Sequence, residues 1–119
     1  MINTLLIMTG GGLGAVLRYI ISSALNEKLS HWATFWVNVT GCFFVGFITD
    51  LPIISNHEGY LFLIVGLLGA YTTFSAFEYE NIDLIAHEKY SEFLKYSTSS
   101  FLFCIIAFCT GKLFIKLII

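Results

Sequence analysis

The sequence predicts an all-α membrane protein, a single domain built on four transmembrane helices. Three observations predict it. Hydrophobic residues make up 57% of the 119 and charged residues only 12%, against roughly 25% charge in an ordinary soluble domain; mean hydropathy is +0.83. The charges are segregated: there are none from Trp32 to Thr49, from Gly59 to Phe77 or from Tyr96 to Gly111, and Arg18 stands alone between Met1 and Asn26. Finally, the apolar runs are continuous rather than alternating. They suit helices of about 20 residues, the length that crosses a hydrocarbon core, and not a closed barrel.

Span one covers Thr4–Leu25. Its glycines Gly10, Gly11, Gly12 and Gly14 include Gly10-x-x-x-Gly14, a small-residue surface that lets helix backbones approach closely. Gly10, Gly12 and Ala15 also match G-x-G-x-x-A, but no strand precedes them and the chain has no room for a βαβ sheet, so a dinucleotide site is rejected. Arg18 lies deep in this span. A charge there costs about 2.5–3.5 kcal/mol on insertion scales, so it must be paired, snorkelling or facing an aqueous vestibule. The basic residue comes far into the apolar run rather than before it, which argues against a cleaved signal peptide.

Span two covers Trp32–Leu51 and closes at Pro52, the only proline. Asn38 is a lone amide in an apolar run. It serves either as an anion donor or as interhelical glue, and the spacing does not choose. Span three covers Gly59–Phe77 with a polar continuation. Its segment Gly66–Phe77 is uncharged yet rich in Gly, Thr and Ser. Two readings stay open: Thr72, Thr73 and Ser75 bond back to their own helix, or the helix is broken and lines a protein or aqueous cavity. Phe74 and Phe77 are three apart and share a face, where ring edges can meet an anion or simply pack.

Span four covers Phe93–Ile118, with Lys112 snorkelling at its end. Tyr96, Ser100 and Cys104 fall on one helical stripe, either a hydroxyl track for a small ion or a polar helix start at the interface. The short connections favour antiparallel neighbours. Cys42, Cys104 and Cys109 lack C-x-x-C spacing and read as apolar packing residues.

Several functions are disfavoured. A net charge of −2 gives no footprint for nucleic acid. No span holds paired acids, a Ser/His/Asp set or H-E-x-x-H, so no enzyme is expected, and His31, His57 and His87 have no metal spacing. Orientation is nearly balanced: Lys112 and Lys116 lie on one side, Lys28, Lys89 and Lys95 on the other. Such a small bias predicts insertion both ways up.

Gly11-Gly12-x-Gly14-Ala-x-x-Arg18-Tyr19, Val37-Asn38-Val-x-Gly41 and Gly69-x-x-Thr72-Thr73-Phe74-Ser75-x-Phe77-x-x-Glu80 resemble the Fluc (CrcB) fluoride channels, over all four spans in order. The resemblance implies a break in the third helix and an antiparallel, dual-topology homodimer in the cell membrane that exports fluoride passively. Some relatives instead pair with a homologous second chain. It implies a fluoride pathway of Asn38, Thr73, Phe74, Phe77, Tyr96 and Ser100, with Arg18 at the vestibule. It also implies a structural Na⁺ held by the Gly69 and Thr72 carbonyls. The chain departs from the family at Phe74-Ser75-Ala76-Phe77-Glu78, where members often read F-S-T-F-S, and at Cys104, where a hydroxyl is common.

Two alternatives remain. A non-transporting membrane subunit packing on a partner accounts for the span-one glycines but not for the polar stripe. A small proton-coupled multidrug exporter requires a carboxylate in span one, which offers only Arg18.

Overall fold

A computed structural model describes residues 1–119, the side chains of Glu27 and Lys28 excepted; Lys28, counted in the charge balance above, therefore lies outside the described side chains. The chain is all-helical. Helix α1 (Ile2–Leu29) is followed by α2 (Trp32–Ile48) and two short turns of helix, α3 (Pro52–Ser55) and α4 (His57–Gly59). A π-helical segment, Tyr60–Leu68, runs on into α5 (Gly69–Tyr71). Helices α6 (Phe74–Ala86) and α7 (Tyr90–Ile118) complete the chain. Three stretches are long and apolar enough to cross a membrane: Ile2–Asn26, His57–Ala86 and Tyr90–Ile118. The fourth apolar helix, Trp32–Ile48, is shorter. The chain is a multi-pass membrane protein.

Helix α2 ends three residues before the boundary expected at Leu51. The cause is Pro52, which holds Leu51 extended (φ −78°, ψ 143°) and occupies the first turn of α3 rather than only stopping α2. Between α5 and α6, Thr72 (φ −75°, ψ 154°) and Thr73 (φ −147°, ψ 114°) are both extended. Phe74 and Phe77 thus stand in the first turn of a new helix.

The short connections predicted antiparallel neighbours, yet the tightest packing joins alternate helices, which run parallel. Helix α1 lies along the π segment: a Cβ on Gly10 would strike the Phe62 carbonyl oxygen, and one on Gly14 would lie 3.1 Å from Leu67 Cα. Helix α2 lies along α7. Phe35 meets Phe103 (ring centroids 5.7 Å), Gly46 meets the Phe108 backbone, and Phe47 meets Phe114 (6.2 Å). The partners rise together along both helices, and Lys112 of α7 pairs with Asp50 at 3.3 Å just past the end of α2. Only glycine allows these approaches, because each missing Cβ would meet backbone that cannot rotate away. Two small cores result. Val37, Leu68 and Tyr71 fill one; Phe35, Leu84 and Tyr96 fill the other.

Gly14→Val is expected to destabilise the chain by roughly 1–3 kcal/mol, the usual cost of forcing extra carbons into a packed contact. Gly12→Ala, whose added Cβ meets nothing within 4 Å, should change stability by less than about 1 kcal/mol. Thermal unfolding in detergent, followed by circular dichroism, checks the pair. Equal losses would show that the glycine contact is not what holds α1 to the π segment.

Candidate functional site

The two extended residues between α5 and α6 pose a problem in hydrocarbon, because their backbone groups leave the helical ladder and must find other partners. Asn38 on α2 supplies them. Its Oδ1 accepts from the Thr73 N–H at 2.8 Å, and its Nδ2 donates to the Thr73 carbonyl at 3.0 Å. A carboxamide has two N–H donors, so one remains. The flanking residues also dock on α2. Tyr71 O–H lies 2.9 Å from Thr40 Oγ1, and Gly41 leaves room for the Tyr71 ring and the Thr72 side chain.

The two readings left open for the threonines each hold for one residue. Thr72 bonds back to its own helix, donating to the Leu68 carbonyl at 3.0 Å. Thr73 instead caps the next helix, its Oγ1 accepting from the Ala76 N–H at 3.2 Å, with Ser75 Oγ also 3.2 Å away. In a continuous helix the Thr73 N–H would have bonded to the Gly69 carbonyl, and the Ala76 N–H to the Thr72 carbonyl. Both donors are diverted, the first to Asn38 and the second to the Thr73 hydroxyl.

Two cavities flank this segment, and Thr73 lines both. The first, of about 350 Å³, brings together Asn38, Thr73, Phe74, Phe77, Ser100 and Cys104 with no charged side chain. Among the described residues, Ser100 Oγ is the one buried side-chain polar atom without a hydrogen-bond partner. The rings of Phe74 and Phe77 are 5.8 Å apart and inclined by 40°. Phe74 is 73% exposed on the single chain, whereas Phe77 packs on Tyr96 at 5.3 Å. The second cavity, of about 560 Å³, holds Arg18, Tyr19, Ser22, Asn26 and Glu80. Arg18 therefore faces a polar recess.

Tyr96 shares the stripe of Ser100 and Cys104 on α7 but differs from them in its surroundings. It is fully buried and absent from the first cavity, and its hydroxyl donates to Glu80 Oε2 at 2.6 Å. A stripe at i, i+4, i+8 fixes a direction around the helix axis but not how far a neighbouring helix covers each turn. Here Trp32 and Phe35 of α2 and Phe77 and Leu84 of α6 enclose Tyr96, whereas Ser100 and Cys104 line the first cavity. Glu80, quoted in the motif but given no role by sequence reasoning, collects Tyr96 on one oxygen and Thr34 (2.7 Å) on the other. A polar side chain in the continuation of an apolar span was the signal available for it.

The model of the family described as CrcB-like protein, Camphor Resistance (CrcB), matches residues 5–112. The fluoride-specific ion channel FluC 2 of Bacillus thuringiensis subsp. konkukian (strain 97-27) is 38% identical over 117 residues, covering 95% of this chain and 98% of that one. FluC of Rhizobium meliloti (strain 1021) is 38% identical over 82% of this chain and 83% of its own. FluC of Campylobacter hominis is likewise 38% identical, over 85% and 84%. With its glycine contacts, its Asn38-clamped Thr72–Thr73 segment and these matches along nearly its whole length, the chain belongs to the CrcB family.

Proposed function

We propose that this chain is the subunit of a fluoride-selective ion channel that lets fluoride leave the cell passively and so lowers its cytoplasmic level. The observation that carries the proposal is the first cavity. It holds an unpartnered buried hydroxyl on Ser100, a spare amide N–H on Asn38 and two phenylalanine rings, with no charged side chain. Fluoride is small and strongly hydrated, so a pathway must replace its waters with other positive-ended groups. It must also bind weakly enough for the ion to leave. Hydroxyl and amide donors together with ring edges meet both needs, where a lysine or arginine would hold the ion. Arg18 in the second cavity gathers anions at the mouth. Thr73, which lines both cavities, is where the ion passes from one to the other. Tyr96, engaged by Glu80, positions Phe77 rather than touching the ion.

The chain works as an antiparallel homodimer. Phe74 lies 73% exposed beside the cavity, and an inverted second copy would cover it and close the pathway from that side. The Gly69 and Thr72 carbonyls, whose helical donors are diverted, fit a structural Na⁺, since unwound carbonyls in membranes hold this ion. One pair from each copy would supply four oxygens near the two-fold axis.

Liposomes containing only this chain should release fluoride while retaining chloride. Phe74→Ile and Phe77→Ile keep apolar bulk but remove the ring quadrupole. A packing role alone would cost less than about 1.5 kcal/mol. A large drop in flux with the dimer intact on size exclusion is expected instead, and near-normal flux in both variants would return the rings to packing. A C-terminal cysteine label, in a background without the native thiols, should react from both faces of the membrane; reaction from one face alone would replace the antiparallel dimer with a fixed orientation. Stripping Na⁺ should weaken both flux and the dimer, while Thr72→Ser, which keeps the carbonyl, should behave as the parent. Full activity without Na⁺ would remove the site.

A further inference from the structure

The first cavity has a feature that hydroxyl, amide and ring groups do not explain. Cys42 on α2 and Cys104 on α7 both line it and are both partly buried. Both stand on the length of α2 and α7 that packs side by side, between the Phe35–Phe103 contact and the Gly46–Phe108 contact. Cys42 is one turn beyond Asn38 and Cys104 one turn beyond Ser100, so the pair forms the next layer of the same wall. Its spacing is set by backbone: one further turn along, Gly46 of α2 rests on the backbone of Phe108 of α7. The two cysteines therefore line the same stretch of the cavity from helices that cannot easily separate.

We propose that Cys42 and Cys104 form a two-coordinate site for a soft divalent d¹⁰ cation of the mercuric type, and that filling it closes the cavity to ions. Among the described residues no group of three or more His, Cys, Asp or Glu is assembled. The pair therefore lacks the four ligands of a structural zinc site and the oxygen ligands of a hard cation. Two sulfur donors brought from adjacent helices suit a soft ion that accepts linear coordination. The balance is Hg²⁺ + 2 R–SH → Hg(S–R)₂ + 2 H⁺: each S–H bond breaks, each sulfur keeps its electron pair and donates it to the metal, and no oxidant or reductant is needed. The product is neutral. A neutral complex is the one tolerated beside apolar walls, whereas a monovalent ion on two thiolates would leave a negative charge there. Closure of the pathway rests on the function proposed above; metal binding does not.

The test uses the full-length chain carrying Cys109→Ser, which removes the exposed third thiol, with Hg²⁺ alone as the probe. In detergent, one Hg²⁺ per chain is expected, with release of two protons and a thiolate-to-mercury absorption band. Cys42→Ser and Cys104→Ser, each checked by size exclusion, should each weaken binding by roughly 100-fold or more, because the second donor is no longer intramolecular. Two ions per chain with one proton each, or affinity unchanged in either serine variant, would overturn the site. In liposomes, stoichiometric Hg²⁺ should stop fluoride release, excess small thiol should restore it, and either serine variant should resist the block. Continued release with the metal bound would overturn the closure while leaving the site. Absence of release before any metal is added would instead reject the channel reading, and the binding result would stand by itself.

Discussion

The rest of the site depends on two hydrogen bonds from one carboxamide. Asn38 engages both backbone groups of Thr73, and without it an N–H and a C=O would be stranded in an apolar setting, at about 1–3 kcal/mol each. With it, the extended conformation of Thr72 and Thr73 is locally satisfied, and α6 can start in a new direction. Everything downstream follows that direction: the aim of Phe74 and Phe77, the approach of Glu80 to Thr34 and Tyr96, and the division of space into two cavities that meet at Thr73. The clamp also frees carbonyls on the α5 side, because a donor given to Asn38 is not available to Gly69.

Such a clamp works only if α2 is held firmly, and glycine provides this. Gly46 and Gly111 seat α2 and α7 backbone to backbone, and Gly10 and Gly14 do the same for α1 and the π segment. Between helices in lipid there is no water to expel, so close contact and interhelical hydrogen bonds supply the attraction. The tight parallel pairs form a frame on which the less regular backbone of the third stretch is suspended. The π segment itself, Tyr60–Leu68, belongs to a helix form that is rare and often found near functional sites.

The helices were legible in the sequence because lipid excludes charge, so gaps between charged residues mark them directly. The role of Gly10 and Gly14 as a close-approach surface was legible too, since small residues at that spacing have few other uses in lipid. The pairing of alternate helices was not: short loops fix the sense of neighbours but not which helix offers the deepest groove. The fate of Thr72 and Thr73 was undecidable locally, because back-bonding and capping are both open to a threonine and the deciding partner, Asn38, is 35 residues away. The burial of Tyr96 was hidden for a related reason. Helical periodicity gives an angle, while burial depends on what α2 and α6 lay over that turn. Cys42 and Cys104 read as filler singly; only the juxtaposition of α2 and α7 makes them a pair.

The 17 residues of α2 have a consequence for the surrounding lipid. At about 1.5 Å per residue they span roughly 25 Å, short of a typical hydrocarbon thickness of about 30 Å. The 29 residues of α7 beside it are longer, with Glu92 and Lys95 in its first turns outside the apolar run. A tightly seated pair of unequal length cannot match a flat bilayer with both members. Lipid beside the short one can match it by thinning, at fractions of a kcal/mol per ångström of mismatch. Since α2 helps to wall the first cavity, such thinning would fall beside that cavity and would shorten the low-dielectric stretch a charge must cross. Acyl-chain length thus becomes a variable acting on this protein from outside, and membranes with shorter chains accommodate it at the least elastic cost.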